Sequence, residues 1–514
     1  MRRSRRSLVC HLACLAAPLL LAACATDKLD LAPPNPAEPW HIPSTSPTAA
    51  AGLPVADEKA DATKDDNPTE TQVSAPLSVG PIQPGNTAAI DPRHQYDLGE
   101  LIDLAQRNNP ETHEAWEKAR QAALAVGLVE STYSPQIAAE AIGGYQHTPL
   151  PIPPSLISRG YFTADTRELL PTLSVKWLLF DFGRRAGAEQ AARANSFVAN
   201  VAFTGAHQKL IFLVSRDYFA LGAARGKLRV AEQAMKNAAV VQDAVEMRRA
   251  HGLATVVDVA QAKRQSAQAR FSLEQAKGNE RAAYQRLIAS IGIASTTPIS
   301  VAESAQLKLP ATPGESVDRF VKDALSNRPD LIAEQGKVRA AEANLEKERS
   351  EYYPTISVTA QAYQNFGALS ADNSRYYTVN EPGGNILFQL SWSLFDGGAR
   401  EARTAAARSE IAAARDSLDQ ARDLAVKEVT DSYDALKTSL AEHEAAIALR
   451  EAAHVAYDAA LDAYRHGVGT YIDLVHDETS LTQADSEFED ARANALSSAA
   501  ALAFSTGSIT RASR

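Results

Sequence analysis

Residues 386–398, with the sequence ILFQLSWSLFDGG, decide how this chain folds. Apolar side chains occupy every second position from Ile386 to Leu394, while Gln389 and Ser391 lie between them. This period of two predicts a β-strand with one apolar and one more polar face. A proline-free segment rich in Ala, Arg and Glu begins directly after Gly398, so the strand should lead into a long helix.

The same pattern occurs 215 residues earlier, as PTLSVKWLLFDFG at residues 171–183. Corresponding pairs at this separation are Trp177 and Trp392, Gly183 and Gly398, Gly252 and Gly467, and Gly292 and Gly507. Upstream, Pro135 and Pro354 are 219 residues apart, which places a length change of four residues in a loop. A constant separation over such a length indicates a tandem duplication. We predict a first repeat at residues 96–300 and a second at residues 301–514.

Each repeat predicts the same order of elements. A helix of about 35 residues precedes two alternating strands of about ten residues, and a proline-free helix of about 65 residues follows them. A shorter helix then returns from a glycine turn. At ~1.5 Å per residue the long helix should run about 100 Å, and the two shorter helices should stack end to end beside it. The predicted helices span residues 98–133, 186–250 and about 255–291 in the first repeat, and 317–352, 399–465 and about 470–506 in the second.

The alternating segments have the length of strands in a transmembrane barrel. Two strands per repeat make four per chain, too few to close a barrel, and an open sheet edge is not tolerated in lipid. The sequence therefore predicts a homo-oligomer, with a shared sheet at one end and a tube of helices at the other. A soluble coiled-coil protein with two ordinary hairpins is the alternative.

The N-terminus has the layout of an export signal. Four arginines within residues 2–6 precede an apolar stretch at residues 8–21, and small residues lead to Cys24. Leu21-Ala22-Ala23-Cys24 resembles a bacterial lipobox, which predicts a signal peptide at residues 1–23 and a lipid on Cys24. An ordinary signal cleaved nearby is the alternative. No later run of 18 apolar residues suggests a transmembrane helix.

Residues 24–95 are rich in Pro, Ala, Thr and Asp and show little periodicity. We interpret them as an extended tether, either disordered or lying along the folded body. The net charge of −10 and the lack of a basic stripe argue against a nucleic-acid partner.

The tandem plan, the LFDFG and LFDGG junctions at residues 179–183 and 394–398, and the turns RRAHGLATVVDV (248–259) and YRHGVGTYIDL (464–474) resemble TolC-like outer-membrane efflux proteins. The resemblance covers residues 96–508. It implies a homotrimer with a 12-stranded transmembrane β-barrel continuous with a periplasmic α-helical barrel. It also implies a periplasmic adaptor protein and an inner-membrane pump as partners, no enzymatic activity, and no cofactor besides the lipid on Cys24.

The two glycine turns should form the tips of the helical tube, where such proteins meet the adaptor. Glycine ends one helix, and Thr255 or Thr470, with an acid three residues later, should cap the next. The turns are therefore either docking sites, sequences that only end one helix and start the next, or both. The candidate docking residues are Gly252, Leu253, Ala254, Thr255 and Asp258 in the first repeat, and Gly467, Val468, Gly469, Thr470, Tyr471 and Asp473 in the second.

Three aspartates are candidates for a periplasmic aperture. Asp243 and Asp458 are equivalent across the repeat, nine residues before the turn glycines, and Asp462 lies one turn after Asp458. In a trimer they would form rings of negative charge that narrow the tube and attract cations. A solvated helix face is the alternative.

The favoured function is a passive exit duct for small molecules in a tripartite efflux system. A duct for a type I protein secretion system would share nearly all of these features. A non-conducting coiled-coil lipoprotein scaffold is the third possibility, and the absence of a conducting pore would distinguish it.

Overall fold

The computed structural model describes residues 27–41, 90–304, 307–372 and 374–512. The predicted signal peptide, Cys24 and most of the predicted tether lie outside the described residues. The first half contains β1 (Gln95–Tyr96), α1 (Leu98–Asn108), α2 (Pro110–Glu130), β2 (Gln136–Pro151), β3 (Tyr161–Phe180), α3 (Arg184–Ala250) and α4 (Val256–Ile291). The second half contains β4 (Ser300–Val301), α5 (Val317–Asn327), α6 (Pro329–Arg349), β5 (Thr355–Ala371), β6 (Tyr377–Ser391), α7 (Ala399–Arg465), α8 (Tyr471–Ser505) and α9 (Ile509–Ala512).

The first helix of each repeat is broken at a proline, so the prediction of one continuous helix was wrong. α2 begins at Pro110 and α6 begins at Pro329. Proline has no N–H and its ring clashes with the preceding turn, so it fits the first turn of a helix but not its interior. The Asn109 side chain accepts a hydrogen bond from the Glu111 N–H (2.8 Å) and caps α2.

The four long strands form one antiparallel sheet in the order β2-β3-β5-β6. β3 of the first repeat pairs with β5 of the second, so the sheet joins the two repeats. The strands contain 15 to 20 residues and are longer than predicted. Main-chain pairing does not require alternating side chains, and it continues where the alternation stops, as at Pro149 opposite Thr163.

The sheet has two chemically different faces. Leu173, Val175 and Trp177 of β3 lie on one face, and the register places Val358, Ala360, Ile386 and Phe388 beside them. Lys176 and Ser174 point to the other face, beside Gln136, Thr359 and Gln361. Phe388 is 75% exposed and Ile386 is 71% exposed, so the apolar face is uncovered within one chain.

The shorter helices stack beside the long ones, as the lengths predicted. α2 and α4 both pack along α3, and α6 and α8 both pack along α7. α3 also contacts α6 and α8, which holds the two repeats together. One window of α3 is apolar and long enough to cross a membrane by length and composition, and 44% of that window is buried inside the protein.

Residues 27–41 lie along α2 and α3 as a strap, one of the two possibilities left open by the sequence, and the strap begins with a short 3-10 helix at Asp27–Leu31. Side chains of the helices hold the strap by its carbonyl oxygens: Trp116 donates to Pro33 O (2.8 Å), Asn200 to Leu31 O (2.6 Å) and Thr204 to Trp40 O (2.9 Å). His207 Nε2 lies 3.1 Å from Pro36 O and must carry the proton, because a carbonyl only accepts. Burial lowers the pKa of His207 to about 4, so this bond is made by a neutral imidazole.

An arginine joins the sheet to the long helix at each junction. Arg185, in the first turn of α3, pairs with Asp181 (Nε to Oδ2, 2.9 Å). Its guanidinium donates to Leu178 O (2.8 Å) and Leu179 O (3.1 Å), carbonyls at the end of β3, and lies 4.6 Å from the centre of the Tyr133 ring. Arg185 thus satisfies main-chain acceptors at the point where the strand ladder ends.

The second repeat builds the same junction. Arg400 pairs with Asp396 (3.1 Å), donates to Leu394 O (3.3 Å) and lies over the Tyr352 ring. The indoles of Trp177 and Trp392 complete the two junctions by donating to Tyr133 O (2.8 Å) and Tyr352 O (3.1 Å).

We expect Arg185→Lys and Arg400→Lys each to destabilise the protein by roughly 1–3 kcal/mol, because an ammonium group cannot reproduce the planar fork of donors. Thermal unfolding of the purified protein in detergent measures the loss. Arg184→Lys is the matched control, since its side chain is 53% exposed. Equal stability of the junction and control variants would contradict this role.

Candidate functional site

The end of each helix pair opposite the sheet is a glycine turn. Gly252 follows α3 with φ +72°, and the Leu253 N–H donates to Arg248 O (2.8 Å). Gly467 follows α7 with φ +83°, and the N–H groups of Val468 and Gly469 both donate to Ala463 O (3.0 Å each). This left-handed backbone favours glycine, which explains why both repeats have glycine there.

Threonines begin the returning helices, as the sequence predicted. Thr255 Oγ1 accepts from the Asp258 N–H (3.2 Å), and Asp258 Oδ2 accepts from the Thr255 N–H (2.7 Å). The Thr255 backbone N–H thereby lowers the pKa of Asp258. Thr470 Oγ1 accepts from the Asp473 N–H (3.2 Å) and donates to Asp473 Oδ2 (2.6 Å). These residues therefore cap the N-termini of the returning helices, and their role in docking stays a prediction.

Exposed apolar side chains surround both turns. Leu253 is 68% exposed and Val468 is 84% exposed, while Ala254 is half-buried. Sequence reasoning missed three further exposed apolar residues at the tips, Val256 (65%), Val257 (62%) and Ile472 (71%). In the sequence these three residues appear only as apolar positions in the first turn of a helix. Only the packing shows that they face away from the neighbouring helices and are not core residues.

Tyr471 differs from the other candidate docking residues. It is 8% exposed and packs inside the chain against the Tyr464 ring, so its grouping with exposed docking residues is corrected. The first position of α8 faces α7 and α3, whereas its equivalent in the first repeat, Val256, faces solvent.

The three aperture candidates all lie on exposed helix faces. Asp243 follows the buried Val241 by two residues, and Asp458 follows the buried Tyr457 directly. Asp462 is exposed one turn further towards the tip. Within the described residues none of the three forms an ion pair in a single chain. Their carboxylates are thus accessible for rings between copies, and the aperture remains a proposal.

In the part of the chain that the structure describes, no group of three or more His, Cys, Asp or Glu side chains comes together as a metal site.

Comparison with known proteins gives a consistent result. A family model described as outer membrane efflux protein matches residues 101–293 and 320–508. The chain is 28% identical to Protein CyaE of Bordetella pertussis over 391 residues, covering 75% of this chain and 79% of that protein. It is 25% identical to Outer membrane protein OprJ of Pseudomonas aeruginosa over 382 residues, covering 73% and 76%. A crystal structure of CusC aligns with a TM-score of 0.68 at 22% identity, over 80% of this chain and 92% of that one.

The turn glycines give a stability prediction with an internal control. We expect Gly467→Ala to destabilise the protein by about 1 kcal/mol, because an alanine side chain is strained at positive φ. Gly278→Ala, inside α4 where nothing lies within 4 Å of an added Cβ, should instead stabilise it by roughly 0.5–1 kcal/mol. Thermal unfolding in detergent compares the two, and a stabilising Gly467→Ala would refute the backbone argument.

Proposed function

The chain belongs to the outer membrane efflux protein family, and we propose on that premise that it is the passive outer-membrane exit duct of a tripartite efflux system. The observation that supports this proposal is a sheet with one apolar and one polar face. In each repeat the sheet leads directly into one helix of 67 residues. The apolar face suits lipid and the polar face suits an aqueous path. Energy for transport would come from the pump, so the chain itself would perform no chemistry.

Closure of the sheet supports a trimer. The single-chain sheet has β2 and β6 as its edges. Edge strands leave unpaired N–H and C=O groups, which lipid cannot satisfy. Pairing β6 of one copy with β2 of the next would remove both edges, and three copies would give the 12 strands expected for this family.

Packing between the repeats suggests how the helical part would close. Within the chain α8 of the second repeat packs on α3 of the first. The counterparts of α8 and α3 in the other repeat are α4 and α7. The equivalent contact between copies would therefore pair α4 of one copy with α7 of the next. The charges are complementary: α4 carries six basic and three acidic residues, whereas residues 434–465 of α7 carry six acidic and three basic ones. A helix with a net positive charge beside a helix segment with a net negative charge would favour this contact.

The remaining sites have roles that follow from this arrangement. The tips, including Leu253 and Val468, would contact a periplasmic adaptor. The exposed carboxylates of Asp243, Asp458 and Asp462 would line the aperture. A lipid on Cys24 would anchor the strap, whose Lys28 lies 2.6 Å from Glu130, close to the start of β2.

Planar-bilayer recording of the purified protein tests the duct and its aperture together. We expect a conducting pore, and we expect the double variant Asp243→Ala, Asp458→Ala to change conductance and reduce cation selectivity, because rings of negative charge would be lost. Asp434→Ala, further from the tips on α7, is the control. A protein that inserts without conducting would instead support the scaffold alternative, and unchanged conductance in the double variant would remove the aspartates from the aperture.

Photocross-linking in cells tests adaptor docking. A photoreactive amino acid at Val468 or Ile472 should capture a periplasmic protein with the mass of an adaptor, since these side chains are exposed at the tips. The same amino acid at Leu128, 72% exposed near the sheet, should not. Equal capture from both regions would contradict tip-specific docking.

A further inference from the structure

A buried carboxyl group lies close to the tips, and no part of the proposed duct uses it. Glu478 is on α8, two helical turns after Tyr471, and is 2% exposed. It lies in an apolar layer that we call the tip core. The tip core consists of Val241 and Val245 of α3, Val259 and Ala262 of α4, Ala453, Tyr457 and Tyr464 of α7, and Tyr471, Leu474, Leu481 and Ala484 of α8.

The Glu478 carboxyl has no charged partner in this layer. Its Oε2 atom makes no hydrogen bond to any described residue, and neither does the buried hydroxyl of Tyr471. Burial and, after it, the nearby charge of Glu478 raise the pKa of both Tyr457 and Tyr471. A buried carboxylate without a partner is costly, so the packed layer favours the neutral acid.

Three of the charged groups around the tip core are engaged elsewhere. Glu246 of α3 pairs with Lys263 of α4 (3.4 Å), and Arg248 of α3 donates to Tyr464 O (2.6 Å). Other charged groups near this layer are Arg264 and Asp258 of α4, which act on Tyr471, and Asp458 and Arg465 of α7, which act on Tyr457. On α8, Asp485 faces Arg450 (3.2 Å) and His454 (3.4 Å) of α7.

The duplicated architecture does not require this acid. Position 263 is the equivalent of 478 in the first repeat, and it holds an exposed lysine. The equivalent of Tyr471 is Val256, which is 65% exposed. The buried acid is therefore specific to the contact between α8, α7 and α3, which holds the second helix pair against the first near the tips.

A water-accessible space adjoins the carboxyl. Glu478 lines the tip end of a groove of about 850 Å³ between α4 and α8, with α3 as its floor. Gln265 and Gln268 of α4 and Thr482 of α8 line the same groove. A small movement of α8 would bring an ionised carboxylate into water and among these polar groups.

We propose that Glu478 is a proton-operated latch, which holds α8 against α3 and α7 while protonated and loosens the tip core when it ionises. Burial raises the pKa of Glu478 from 4.5 to about 7. The packed state therefore binds more protons than the loosened one between these values. Its stability is complete below pH 4.5, falls as the pH rises to about 7, and stays low above that. The latch concerns packing within the chain and does not depend on conduction.

Hydrogen exchange of the full-length protein, measured by mass spectrometry at pH 5 and pH 8 and corrected for the chemical exchange rate, tests the latch. We expect the opening of peptides at the start of α8 and the end of α7 to increase on the order of 10- to 100-fold from pH 5 to pH 8 in the wild type. Glu478→Gln, which is similar in shape and always neutral, should abolish this increase. Glu478→Met should do the same if the glutamine variant folds poorly.

Two matched variants isolate the group. Glu487→Gln removes an exposed acid from the same helix, and His454→Gln removes the histidine of α7 that faces Asp485. Both should keep the wild-type pH dependence. A wild type without pH dependence, or a Glu478→Gln variant that retains it, overturns the latch. Bilayer recording of the same samples separates the two proposals. If the protein conducts but its hydrogen exchange does not depend on pH, only the latch is contradicted. If the exchange depends on pH but the protein does not conduct, only the duct is contradicted.

Discussion

The arginine junctions are the interaction on which the rest of this structure depends. A strand that leaves a sheet exposes carbonyl groups, and the helix that follows begins with unpaired N–H groups. Asp181 accepts from the backbone N–H of Arg185 (3.0 Å) and pairs with its guanidinium, which in turn reaches back to the strand carbonyls. One ion pair thus serves both elements and fixes the direction in which a helix of 67 residues leaves the sheet. Because Asp396 and Arg400 repeat it, both long helices leave the sheet in the same way.

The two ends of the molecule are stabilised by different physics. At the sheet end, main-chain pairing carries the structure and the apolar side chains remain uncovered within one chain, as with Phe388. At the tip end, helices are joined by a small apolar core, capped by threonines and turned by glycines. The exposed apolar face of the sheet in the single chain is consistent with the lipid contact and assembly proposed above.

The two repeats have diverged where they meet. The first helix pair carries the strap along α3, held through carbonyl groups that any strap sequence would offer. The second carries Tyr471 and Glu478, which are buried against the first. Duplication provided the scaffold, and these local differences make the contact between the repeats unlike any contact within them.

The sequence by itself determined the duplication, because the same residues recur at a constant separation. It also determined the alternating strands and the glycine turns, because these follow from local geometry. A period of two fixes which side chains share a face, and positive φ restricts a position to glycine whatever surrounds it. Only the tertiary structure decided that Tyr471 is buried while Val256 is exposed, that Arg185 serves the strand end, and that Glu478 lies in an apolar layer. The alanine-rich helices have weak amphipathic patterns, so their buried faces depend on which helices pack beside them. That choice is made by contacts between residues hundreds of positions apart, which no local pattern records.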